Sequence, residues 1–106
     1  MQSGNQRGFT KLKSERGDLM DSQTLKEQVE INVFHVPKER KVAMHKHPQQ
    51  VEVFYCFNGS GVGVLEDSEV ALAVGGVFIA PAGAMHSIRS DECIDVLSFL
   101  IPVINN

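Results

Sequence analysis

Cysteine is scarce in this sequence. There are two, Cys56 and Cys93, in different segments and in no CxxC pair. They cannot make a disulfide framework, and both read as reduced small hydrophobes. A surplus of positive charge is missing too: 10 Lys and Arg stand against 13 Asp and Glu, a formal net charge of −3 with a pI of about 5.7. With no basic stripe to meet a phosphate backbone, nucleic acid is not an expected partner. No apolar run approaches the roughly 20 residues of a membrane helix. The opening MQSGNQRGFTKLK holds no apolar stretch of signal-peptide length. The expectation is a soluble cytoplasmic protein with no membrane contact.

What is present suffices for one core. A chain of 106 residues fits a single domain, and one of this size buries roughly 65% of its unfolded surface. Apolar residues make up 42% and charged residues 22%, ordinary globular proportions. Residues 1–28 are polar, with charges of both signs and little periodicity, and are expected to pack on the domain or on a partner. Residues 29–106 read as strand after strand. Glu30 to Val36 stops at Pro37, and Lys41 to His47 stops at Pro48. Glu52 to Phe57 runs into Asn58-Gly59-Ser60-Gly61, a strong turn signal. Val62 to Glu66 and Val70 to Val74 flank a hairpin turn at Asp67-Ser68-Glu69. Val77 to Ala80 meets Pro81-Ala82-Gly83. His86 to Arg89 alternates, Ser90-Asp91-Glu92 turns, and Ile94 to Ile101 is a long apolar finish. About seven short strands with turn signals roughly every 8 to 12 residues predict an all-β sandwich or barrel. Leu19 to Val29 is the one stretch with any helical character, and it is weak.

The strand faces carry a second message. Glu52, Phe54 and Cys56 share one face, and Val53, Tyr55 and Phe57 the other. Both are apolar, whereas a strand open to water on one side should show polar residues there. Val96 to Ile101 repeats the pattern, with only Ser98 interrupting. The outer faces are therefore expected to be covered, by the N-terminal segment or by a second subunit. A homodimer is the predicted state.

His45 and His47 stand two apart on a predicted strand, so both imidazoles point to one face and can reach a common metal. Strict alternation would turn Glu52 the other way. Pro48-Gln49-Gln50 resets that parity by ending one strand and starting the next. His86 arrives from a separate strand, placed by the Pro81-Ala82-Gly83 turn. Three imidazoles and a carboxylate suit one divalent transition metal (manganese, iron, cobalt, nickel, copper or zinc) better than calcium. An isolated strand histidine is more often a surface or core residue. Here three of the 4 histidines fall into one spaced pattern with a glutamate. His35, the fourth, reads as structural. Phe54, Cys56, Phe78 and Ile88 have the parity of pocket-lining residues, though core packing explains them equally well. Tyr55 and Arg89 point outward. Gly59, Gly61, Gly63 and Gly75 resemble a phosphate loop only superficially, since no helix and no lysine follow.

His45-x-His47-x4-Glu52-x6-Gly59 resembles the first conserved motif of the cupin superfamily, and Gly75-x5-Pro81-x-Gly83-x2-His86 resembles the second. The 15 residues between Gly59 and Gly75 match the linker of small microbial cupins. The similarity covers about residues 30–101. It implies a single-domain double-stranded β-helix, or jelly roll, with the metal inside the barrel mouth on His45, His47, Glu52 and His86. Glu39 stands where the family usually has Gly, Gly76 where Asp is common, and Ser90 where Asn is common. These positions shape turns and ligand supports rather than the ligands themselves.

Cupins span many activities, so fold alone does not choose one. A redox-capable ion with two open positions inside an apolar wall points to a metal-dependent, dioxygenase-like oxidoreductase acting on a small organic molecule. Two alternatives stand beside it: a metal-dependent isomerase or lyase, and a non-catalytic binder of a small molecule or a metal. No inward Lys, Tyr or additional Glu is apparent for proton transfer, which weighs against the isomerase or lyase.

Overall fold

A computed structural model describes residues 11–13, 19–21, 27–40 and 42–103. The chain divides into two compact units, Met1–Val29 with Ile104–Asn106, and Glu30–Val103. In the first unit β1 (Lys11–Lys13) and β2 (Leu19–Asp21) pair antiparallel, with Leu12 opposite Met20. The helix anticipated over Leu19–Val29 is thus a strand at its start, and among the described residues Glu27–Gln28 is helical. Residues 22–26 lie outside the described residues.

The second unit holds β3 (Glu30–Pro37), β4 (Gln50–Leu65), β5 (Glu69–Ala73), β6 (Val77–Ala80) and β7 (His86–Pro102). The strand order is β3-β7-β4-β5, with β6 on the first half of β4, and every pairing is antiparallel. Two strands are far longer than their turn signals suggested, at 16 and 17 residues. Asn58-Gly59-Ser60-Gly61 and Ser90-Asp91-Glu92 do not reverse the chain. They meet each other across the β4–β7 ladder and produce register shifts there, between Cys56 and Asn58 and between Gly59 and Gly61. A bulge absorbs extra residues and bends the strand, so the residues that signal turns here signal bends. Gly59 has φ +78°, and a Cβ on it would come within 2.1 Å of the Cys93 carbonyl oxygen. Only glycine fits that corner.

The bends let β4 and β7 serve both halves of the barrel. The first half of β4 lies between the second half of β7 and β6, and its second half lies between β5 and the first half of β7. Curvature brings distant residues together: His86 pairs in register with Leu65, yet its side chain reaches Glu52 on the same β4 strand. The fold is an all-β double-stranded β-helix.

The strand expected over 41–47 does not form across its described residues, 42–47. Among residues 42–47 only His45 pairs, in a two-way bridge with His86 (His45 N–H to His86 O 3.0 Å, His86 N–H to His45 O 2.7 Å). Prolines at 37 and 48 bracket this stretch and remove ladder donors at both ends, leaving a crossing segment with a single ladder bridge.

Alternation sorts the faces. Inward, Phe54, Cys56, Leu72, Phe78, Ala80, Ile88, Ile94 and Val96 form one buried cluster. Phe54 and Phe78 stack at 5.7 Å. Burying each such side chain contributes on the order of 1.5–3 kcal/mol. Outward, the register aligns Ile31, Phe99, Val53 and Ile79 in one row across β3, β7, β4 and β6. The next row holds Val33, Leu97, Tyr55 and Val77. Val33 is 64% exposed and Ile79 55%.

Candidate metal centre

Four donors converge at one end of the barrel. Ligand atoms of His45, His47, Glu52 and His86 all lie within 4.8 Å of one another. Glu52 comes from the start of β4, His86 from the start of β7, and the other two from the crossing segment. That segment is held by the His45–His86 bridge and by the bond from Gly83 N–H to His47 O, 3.0 Å. Glu52 and His86 are buried, while the His47 side chain keeps 28% of its surface.

Hydrogen bonds fix the orientation of the ligands. His45 Nδ1 lies 3.0 Å from Ala43 O, and His86 Nδ1 lies 2.9 Å from Ala84 O. A carbonyl oxygen only accepts, so each Nδ1 carries a proton, and in the neutral ring Nε2 then turns its lone pair inward. The carboxylate of Glu52 is divided in the same way. Its Oε2 accepts the hydroxyl of fully buried Ser98. Its Oε1 faces His86 Nε2 at 2.8 Å and His47 Nε2 at 3.1 Å.

This arrangement fits a cation. With His86 Nδ1–H committed to the Ala84 carbonyl, the 2.8 Å approach of His86 Nε2 to Glu52 Oε1 in a buried place needs positive charge between them, as a proton on Nε2 or as a metal ion. Lone pairs so directed repel unless positive charge sits among them. Three imidazole nitrogens and one carboxylate oxygen are the donor set for a first-row divalent metal. Hydrogen bonds from the ligands to backbone carbonyls, and from Ser98 to Glu52, are the outer supports such sites require.

A cavity of about 540 Å3 opens on the cluster, within the range typical of small-ligand sites. Phe54 and Ile88 line it with Phe34, Val36, Val96 and Leu100. Cys56 and Phe78, expected as lining from their parity, sit instead in the packed core. Cys56 Sγ points to the carbonyls of Asn58 and Gly59, at 3.5 and 3.6 Å, away from the cluster. His35 also borders the cavity, but its side chain is largely exposed and its Nδ1 lies 2.6 Å from Asp95. Arg89 is outside, in a two-bond pair with Glu69 at 3.1 and 3.2 Å. That pair holds the Glu69 carboxyl below its ordinary range, first through the hydrogen bond and then through the charge.

Sequence reasoning passed over several polar residues of the site, Ser87 of the cavity lining among them. Ser98 looked like an interruption of an outward apolar run, yet it pairs with Phe54 and therefore faces in. Parity counted from Glu52 across the β4–β7 ladder would have found it. Glu30, Asn32 and Arg40 also line the cavity. Glu30 and Asn32 have the same parity as inward Phe34, so the apparent lack of an additional inward glutamate is corrected.

Comparison with known proteins agrees with this geometry. A family model, the Cupin domain, matches residues 32–98. No curated protein matches the sequence. A cupin protein from Bacteroides fragilis superposes with a TM-score of 0.64 at 20% identity, covering 74% of this chain and 70% of that one. A protein from Thermus thermophilus gives 0.65 at 25% identity, over 70% and 72% of the two chains. A predicted oxalate decarboxylase from Thermotoga maritima gives 0.66 at 20% identity, over 88% and 90%. The likenesses at 20% establish shared fold and nothing finer. Both sequence motifs, the barrel and the matched residues agree: the chain belongs to the cupin family.

Proposed function

We propose that this cupin is a metal-dependent enzyme acting on a small organic molecule, with oxygenation or oxidative cleavage as its leading chemistry. One observation carries the reading: the four-donor cluster opens directly into an apolar-walled cavity large enough for such a molecule. Residues His45, His47, Glu52 and His86 would hold the ion. When bound, the ion supplies Lewis-acid polarisation, a template for chelating oxygen atoms and, if redox-active, electrons. Phe34, Phe54, Ile88 and Val96 exclude water and orient the organic body. Ser98 and the Ala43 and Ala84 carbonyls hold the ligands in place.

A second reading, metal-dependent isomerisation or lysis, gains from Glu30, a carboxylate on the cavity wall able to move a proton. A non-catalytic binder is the third. Metal-loaded protein incubated with candidate molecules separates them. Dioxygen uptake matched to substrate loss supports the first reading. Oxygen-independent product formation that fails in Glu30→Gln moves the assignment to the second, and tight binding without product moves it to the third.

We also propose a homodimer formed through the outer sheet face. Its two rows of large apolar side chains are contiguous and nearly free of charge, unlike the scattered single residues of an ordinary monomer surface. A two-fold axis through such a face buries one patch against its own copy.

A further inference from the structure

The mouth of the cavity has a charge that the metal site does not use. Pro37 ends β3, and the Lys38–Glu39 turn is closed by Arg40 N–H donating to Pro37 O at 3.1 Å. Two anchors fix this corner. Lys38 Nζ pairs with Glu92 at 3.2 Å, and Ser87 Oγ donates to Val42 O at 2.8 Å. Arg40 lies between the two anchors and lines the cavity. Among the described residues it is the only Lys or Arg of the lining, and it forms no ion pair with any of them. Lys38 and Arg89, by contrast, are both paired.

Charge balance then selects a ligand sign, on the premise that the proposed metal site is correct. A divalent ion on three neutral imidazoles and the Glu52 carboxylate keeps one net positive charge. Glu30, which takes a hydrogen bond from Asn32 Nδ2 at 3.2 Å, offsets Arg40 across the cavity. With the ion bound, the charges on these groups sum to one positive, which favours a monoanion. A guanidinium presents two parallel N–H donors matched to the two oxygens of a carboxylate. The walls between the ends are apolar: Phe34, Val36, Phe54, Ile88 and Val96. A phosphate would ask for several converging donors, and a single arginine does not supply them.

We propose that the cavity takes a small organic monocarboxylate, its carboxylate on Arg40 and its apolar body against those five side chains. Arg40 is a specificity-determining residue, not a metal ligand.

The test is calorimetric titration of three acids, benzoate, phenylacetate and hexanoate, each beside its neutral amide. It is run on metal-free and on zinc-loaded protein, for the wild type, Arg40→Met and Arg40→Lys. The expected result is at least one acid binding about tenfold or more tighter than its amide, the worth of a charged hydrogen bond. Arg40→Met abolishes that preference and Arg40→Lys keeps part of it, with zinc stoichiometry and melting temperature unchanged in both. Equal binding of acid and amide, wild-type preference in Arg40→Met, or no binding of any acid overturns the proposal. Failure of the metal reading shows separately, as absence of zinc uptake by the wild type, and the Arg40-dependent preference is then read on the metal-free protein.

Discussion

At the scale of single residues, the candidate metal site depends on groups outside its four donors. Ser98 is the clearest, a fully buried hydroxyl that donates a hydrogen bond to Glu52 Oε2. Removing it frees the carboxylate to rotate away from the three imidazoles. Ser98→Ala should weaken metal affinity by about 10- to 100-fold, as loss of such supports does. A competition titration against a chelator checks this, and unchanged affinity would reduce Ser98 to packing. The convergence of the four donors was legible in the sequence because histidines two apart, a proline reset and a distant histidine make a pattern rare in random chains. Ser98 and Arg40 were not. A hydroxyl inside an apolar run and a cation after a turn look the same whether they face the site or the solvent. Only strand pairing and chain crossing decide between them.

Elements show the opposite bias: their existence was legible, their ends were not. Strands at Glu30–Pro37, Glu69–Ala73 and Val77–Ala80 follow from alternation and breakers. The glycines and acids at 58–61 and 90–92 read as turns, because bulges use the same residue types. The irregular 42–47 segment read as a strand, because its side chains alternate although its backbone makes one bridge. At the bulge, Asp95 accepts from Asn58 Nδ2 at 2.8 Å and from His35 at 2.6 Å, joining β4, β7 and β3. Those two hydrogen bonds, Asn58 first, hold the Asp95 carboxyl below its usual range. A lowered folded-state value means the contribution is full above the unfolded aspartate range, near about pH 4, and fades as pH falls through the folded value. Asp95→Ala should therefore melt below the wild type at pH 7, with the gap closing below about pH 4. A gap independent of pH would show that the ionised form does not matter to the bulge.

At the scale of the whole molecule, the proposed dimer rests on the outer sheet face. Alternation showed early that both faces of β4 are apolar. The register now shows those residues continuing across four strands. Light scattering at micromolar concentration should give twice the monomer mass. Val33→Glu with Ile79→Lys, two charges on exposed positions, should give monomers that keep their fold. A wild-type monomer would remove the dimer. The fold class was legible because a barrel leaves its period in every strand. The partner of this face was not, because a covered face reads the same whatever covers it.

The most direct test of the central claim is the metal content of protein purified without a histidine tag, beside His86→Ala and the more peripheral His45→Ala. The expected result is near-stoichiometric divalent transition metal in the wild type, lost or strongly reduced in both variants. A wild type that holds no such metal, even after reconstitution with manganese, iron, cobalt, nickel, copper and zinc, would contradict it. The barrel would stand, and the chemistry assigned to its mouth would not.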